Sequence, residues 1–125
     1  MGMQDKIVNL LSPIFDNRVY PDIIPQAEIE NDLSPCCVYT LISQDTALSG
    51  CPDFIVKYTV QIDIYTPESA INKAKNREFY FSQVKDILLQ NGFIFKQARN
   101  SFDADLRLFR SSSDWGFEDF STVER

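Results

Sequence analysis

The longest regular pattern in the chain runs from Phe54 to Tyr65. Phe54, Val56, Tyr58, Val60, Ile62 and Ile64 stand at every second position, with Lys57, Thr59, Gln61 and Asp63 between them. Side chains alternate across a strand, so this spacing predicts a long strand with one apolar and one polar face. The pattern then changes period. Ala70, Ala74, Phe81, Val84 and Leu88 form a helical stripe, widened by Ile71, Tyr80 and Ile87, and Phe79 falls away from it. Thr66 has the chemistry of a helix cap, Pro67 suits a first helical position, and Glu68 suits the positive end of the dipole. The helix is expected to run to about Asn91, with Gly92 taking the left-handed stop.

The rest of the chain reads around this unit. Met3–Ser12 carries Met3, Ile7, Leu10, Leu11 and, just beyond it, Ile14 at helical spacing, and Pro13 ends the helix or starts another turn. Asn17–Pro21 reads as a turn and a short extended piece. Asp22–Pro35 reads as a long acidic loop, a length that in a small domain points to function or flexibility. Cys36–Ser43 is apolar on both faces and predicts a central strand. Gln44–Asp53 is the connection to the long strand, with turn chemistry at Ser49–Asp53; the two strands are expected to form an antiparallel hairpin. Gly92–Lys96 opens a third strand, Arg99–Asp105 reads as a turn or irregular hairpin, and Leu106–Phe117 is the last strand. In that strand Phe109, Ser111, Ser113, Trp115 and Phe117 share one parity, so the serines leave room for large side chains from a covering helix.

The expected order is α-β-β-α-β-β: one α+β domain over residues 1–125, a mixed or antiparallel sheet with helices on one face, and flexible ends near 1–3 and 118–125. The polar face with Lys57, Thr59, Gln61 and Asp63 would meet solvent or a neighbouring subunit.

Composition narrows the chemistry. The 125 residues include no His, which removes Ser-His-Asp and Cys-His nucleophile systems and the usual general base near neutral pH. Carboxylate pairs such as Asp103/Asp105 and Glu118/Asp119 stand in turn-like or tail contexts and read as solvated surface charge. No glycine-rich phosphate loop occurs. Three cysteines, Cys36, Cys37 and Cys51, are an odd number without a CxxC pair; they read as small buried hydrophobes in a reducing compartment, not as a zinc site. No catalytic residue, metal or cofactor is expected. No apolar run approaches the roughly 18 residues of a membrane span, and the first ten residues, with Asp5 and Lys6, carry no secretory signal. The net charge of −6 argues against gripping a nucleic-acid backbone. The charge is uneven: through Asp63 there are nine acids and three bases, and from Thr66 onward nine of each.

Several stretches, taken in order, resemble one family. Val19-Tyr20-Pro21 follows the first helix. Pro35-Cys36-Cys37-Val38-Tyr39 stands where that family tends to read Pro-x-Val-Val-Tyr. Tyr58–Tyr65 is similar to its Val-Gln-(apolar)-Asp-(apolar)-Tyr strand, and Phe109–Trp115 to its closing strand. The set resembles the tail completion, or tail-terminator, proteins of long-tailed phages and prophages, over roughly Ile7 to Phe117. The chain departs from that pattern at Cys36-Cys37 and in its acidic loop. The resemblance implies a structural protein without an active site. It would form a ring, typically a hexamer, on the head-proximal end of the tail tube and offer a surface to the head connector. DNA would pass through the ring without sequence-specific binding; the acid-rich N-terminal half of the chain suggests an acidic lumen wall that keeps the backbone of DNA from sticking. The implied location is the virion neck, and the host cytoplasm during assembly.

Three readings follow: a ring-forming tail completion protein, another head–tail connector or neck adaptor, and a small carboxylate-using enzyme. The candidate assembly residues are Asp22, Glu28, Glu30 and Asp32 in the acidic loop, Asp45 and Asp53 in the second connection, Lys57 and Gln61 on the polar strand face, the outlying Phe79, and Arg99, Arg110 and Asp114 as charge partners across a joint.

Overall fold

A computed structural model describes residues 2–25, 35–48, 54–67, 73–104 and 108–119, with backbone alone at 44–48, 54–55, 67, 73–77, 103 and 119. The elements are α1 (Met3–Leu11), β1 (Val19–Pro21), β2 (Cys36–Leu48), β3 (Phe54–Pro67), α2 (Lys73–Gln90), β4 (Ile94–Asp103) and β5 (Leu108–Asp119). The five strands make one mixed sheet in the order β1-β2-β3-β5-β4. β1 runs parallel to β2, and every other pair is antiparallel. The fold is α+β as expected, with β1 as an added short strand.

β1 is parallel because the chain between it and β2 is long; a tight turn allows only the antiparallel arrangement. Asp16 and Asn17 make the entry to β1 with φ of 54° and 66°. Asp and Asn tolerate this left-handed region better than other residues with a Cβ.

The helices cover one face. Ile7 and Leu11 of α1, and Val84 and Leu88 of α2, are fully buried. They meet Cys37 and Tyr39 of β2, Val60, Ile62 and Ile64 of β3, and Trp115 of β5 in one core cluster. Tyr80, Phe81 and Ile87 pack against it from α2, and Phe15 stacks on Tyr80 with centroids 5.4 Å apart. The serines of β5 share the parity of Trp115 on this face. Ser111 and Ser113 are buried, and Ser113 Oγ accepts from Trp115 Nε1 at 2.8 Å while donating to the Ile62 carbonyl at 3.3 Å. A smaller cluster, Ile24, Cys36, Val38 and Leu108 with Tyr20 and Tyr65, lies on the opposite face.

The end of α2 follows its sequence. Gly92 has φ of 88°, its N–H donates to Leu89 O at 3.3 Å, and Phe93 N–H donates to Leu88 O at 3.0 Å. This pair of bonds is the Schellman motif, and Asn91 Nδ2 satisfies the Ile87 carbonyl at 2.7 Å.

Four boundaries differ from expectation. Thr66 and Pro67 end β3 instead of starting a helix. Thr66 is fully buried, and its Oγ1 has no partner among the described residues. The strand continues because Thr66 and Pro67 pair with Phe109 and Leu108 of β5. β2 continues past Ser43 to Leu48, because the early part of β3 takes it as partner: Gln44 faces Tyr58 and Leu48 faces Phe54. A bulge between Leu41 and Ser43 resets the register. Arg99–Asp103 belongs to β4 and pairs with Leu108–Ser112, although Asn, Ser and Asp disfavour strands. Cross-strand pairing overrides that local preference. Glu118 and Asp119 extend β5, opposite Lys57 and Val56, and are not tail.

Candidate assembly surfaces

Alternation puts one residue in two from β3, β5 and β4 on the face that the helices do not cover. Lys57, Thr59, Gln61 and Asp63 of β3 sit beside Glu118, Gly116, Asp114 and Ser112 of β5. Gln97 and Arg99 of β4 sit beside Asp114 and Ser112. The face is polar and closed on itself by side-chain bonds.

Its centre is Asp63, which the alternation predicts as solvent- or partner-facing and which is only 4% exposed. It lies between Val38 and Ser112 on the neighbouring strands. Gln61 Nε2 donates to both of its carboxylate oxygens at 3.1 Å, and Ser112 Oγ donates to Oδ1 at 2.5 Å. Arg110 Nη2 lies 3.4 Å from Oδ2, and Arg110 Nε donates to Ser112 Oγ at 3.0 Å. The charge is buried because three side chains, making four contacts, replace its water.

A second cluster is more open. Gln97 Nε2 donates to Asp114 Oδ2 at 2.6 Å, and Arg99 Nη1 lies 3.6 Å from the same oxygen. Lys57 pairs with Glu118 at 3.8 Å, an exposed pair of small energetic weight, and Asp45 stands opposite Lys57 in the β2–β3 register. Lys96 leaves the β4 bulge and reaches Thr59 Oγ1 at 3.4 Å, passing over Gly116. A Cβ at Gly116 would stand 3.0 Å from the Lys96 Cε.

The candidates therefore separate. Gln61 and Arg110 meet at Asp63; Arg99 meets Asp114; Lys57 stands at the same face. Asp22 is exposed just past β1, at φ 64°, with its N–H donating to Tyr39 O at 2.8 Å. Phe79 is 57% exposed on α2, edge-on to Tyr80. Glu28, Glu30, Asp32 and Asp53 lie outside the described residues, as does the side chain of Asp45. Sequence reasoning missed Asp63, Ser112, Gln97 and Lys96. The available signal was the spacing of Gln61-x-Asp63 and Arg110-x-Ser112, which puts each pair on one strand face.

Two buried groups beside this face, Cys37 and Tyr39, are held in their neutral forms. Burial pushes the Cys37 thiol well above its ordinary range, with Cys36 and Asp63 adding to the effect. Burial, then Asp22 and Asp5, push the Tyr39 phenol up. Both groups stay neutral near pH 7. Among the described residues no cluster of His, Cys, Asp or Glu could hold a metal ion. No helix among them is long and apolar enough to cross a membrane. An open groove of about 410 Å³ lies between α1 and the sheet, lined by Met3, Lys6, Leu10, Tyr58, Asn91 and Phe117. Its ammonium group, Lys6 Nζ, rests 4.2 Å from the centre of the Phe117 ring.

No family model and no curated protein matches the chain. Among solved structures, the chain is similar to one in the virion of the native gene transfer agent (GTA) particle. The TM-score is 0.64, the identity 15%, and the match covers 95% of each chain. At that identity the two share a fold, from the first helix to the last strand.

Proposed function

We propose that this protein is a structural component of a phage-type virion, without enzymatic activity. More specifically, it closes as a ring, of six copies in the family it resembles, on the head-proximal end of a tail tube. There it stops tube growth, joins the head connector, and leaves a lumen for DNA. The observation that carries the reading is the match in fold, over 95% of each chain, to a chain of a virion particle. The stretches that resemble tail completion proteins support it. Pro35–Tyr39 leads into β2, Tyr58–Tyr65 lies in β3 and Phe109–Trp115 in β5, so they fall on three adjacent strands of one sheet.

A neck adaptor is the second reading, because a likeness to a virion component does not distinguish one position within the virion from another. Light scattering on a sizing column, across concentration and with or without tail-tube protein, separates the two. A closed ring, alone or only with the tube, is the expected result. A monomer that ignores tube protein and binds the head connector would reject tail completion in favour of the adaptor.

A further inference from the structure

Two surface features of the chain are opposite in shape and in charge. One is a tip. Just past β1, Asp22 holds φ of 64° and its N–H donates to Tyr39 O at 2.8 Å, while Ile23 N–H donates to Pro21 O at 2.7 Å. Ile24 is buried with Cys36, Val38 and Leu108. Between these anchors Asp22 is exposed, and Ile23 is 74% exposed. One exposed aliphatic side chain is ordinary on a protein surface. This one is held outward by a backbone tied down on both sides, which removes part of the ordering cost of a contact.

The other feature is the groove between α1 and the sheet. Its volume of about 410 Å³ lies within the roughly 300–1,000 Å³ of clefts that take a ligand. Met3, Leu10, Tyr58 and Phe117 give it apolar walls, and Lys6 and Asn91 bring polar groups to it. Lys6 Nζ rests on the Phe117 ring, and among the described residues no carboxylate pairs with it. The tip does not fill its own groove. It is bonded at Tyr39, opposite Ile62, and the groove lies farther along β3 at Tyr58.

The charges are separated between the two features. Asp5, next to Lys6 in the chain, acts together with Asp22 on the Tyr39 phenol, so both carboxylates belong to the surroundings of Tyr39. Glu118, next to Phe117, is paired with Lys57. The tip thus offers a carboxylate beside an apolar side chain, and the groove an ammonium beside apolar walls.

We propose that the Asp22–Ile23 tip of one copy seats in the groove of the next, with Ile23 against the apolar walls and the Asp22 carboxylate on Lys6. Tip and groove share no residue. The contact therefore joins two different surfaces, and such contacts generate rings when the rotation closes. This deepens the ring reading and rests on it.

Charge reversal tests the contact, read by light scattering across concentration. Lys6→Glu and Asp22→Lys should each raise the concentration needed for assembly by about tenfold or more. The two changes together should return it to within about threefold of the wild type. Ile23→Ser, which leaves the charges in place, should raise it by about tenfold. All these residues but Lys6 are fully on the surface, and each variant should keep the wild-type melting temperature. Asp22→Asn accepts the left-handed backbone and, with Ile23→Ser, decides the matter if Asp22→Lys does not fold. If the wild type assembles and the single variants assemble equally well, or the double variant does no better than the single ones, the contact is wrong while the ring reading stands. A lower melting temperature for Lys6→Glu with unchanged assembly would assign the groove to its own chain and reject the contact. Loss of tail-tube or head-connector binding with unchanged assembly would assign it to that partner and reject the contact too. If the wild type stays monomeric with and without tail-tube protein, the ring reading falls and this proposal with it.

Discussion

The carboxylate of Asp63 and the guanidinium of Arg110 form an unequal pair: 6% of the Asp63 side chain is exposed, against 34% of that of Arg110. Removing either partner should therefore have different costs. Arg110→Ala leaves a buried carboxylate held by Gln61 and Ser112 alone, and should cost about 2–4 kcal/mol. Asp63→Asn leaves a guanidinium that can turn to water, and should cost about 1–2 kcal/mol. Urea denaturation of both variants checks the order, and the reverse order would reject this account of the cluster. Val60→Asp puts an unpaired charge among the helix-facing residues and should unfold the domain, seen as loss of near-UV circular dichroism; a folded, monomeric variant would mean the sheet faces are assigned wrongly. Cys37 and Tyr39 give a pH dependence. Both have raised folded values, so the contribution of Cys37 is fully present below the ordinary thiol value of 9.0 and that of Tyr39 below the ordinary phenol value of 10.0, and each is lost as pH rises above its own value. Stability should fall above about pH 9, by at most about 1.4 kcal/mol per pH unit for each group, and Cys37→Ala should flatten the fall. Val60 was legible in the sequence because its neighbours alternate. Asp63 was not, since a polar residue in an alternating strand reads as solvent-facing until the neighbouring strands are known.

The second helix shows how finely an element divides its faces. Leu88 is fully buried and Leu89 is 46% exposed. Leu88→Ala should cost about 2–5 kcal/mol and Leu89→Ala under about 0.5 kcal/mol, measured by thermal or urea unfolding. Similar costs would place the helix in the wrong rotation. The stripe and the Gly92 stop were readable because they depend on helical period and on a backbone angle that glycine accepts. The expected start was wrong for a reason of competition. Thr66-Pro67-Glu68 has the local chemistry of a helix start, but the ladder to Phe109 and Leu108 keeps Thr66 and Pro67 in the strand. The same competition made a strand of Arg99–Asp103, whose residues favour turns.

At the scale of the molecule, the distribution of surfaces matters more than any one residue. Helices cover one sheet face, a bonded polar network closes much of the other, and among the described residues β4 has a partner strand on one side alone. If unlike charges meet across the joint of such a ring, its assembly should weaken with salt. Raising ionic strength from about 0.05 M to about 0.5 M shortens the screening length and should raise the concentration needed for assembly. Light scattering at both salts checks this, and an unchanged threshold would mean that charge does not contribute to the joint. The lumen of that ring is expected to be acidic, so that DNA passes without sticking; a basic lumen in an assembled particle would reject that expectation.

Period and parity along the chain determined by themselves that this is an α+β domain, that Val60, Ile62, Ile64, Val84 and Leu88 face a common core, and that Ser111 and Ser113 share a parity with the buried Trp115. Those features depend on neighbours a few residues away, which the sequence contains directly. Only the tertiary structure decided the strand order, the parallel β1, the length of β2 and β4, and the burial of Asp63. Each of these depends on which distant segment lies alongside, and hydrogen-bond ladders between strands carry no mark in the local sequence of either partner.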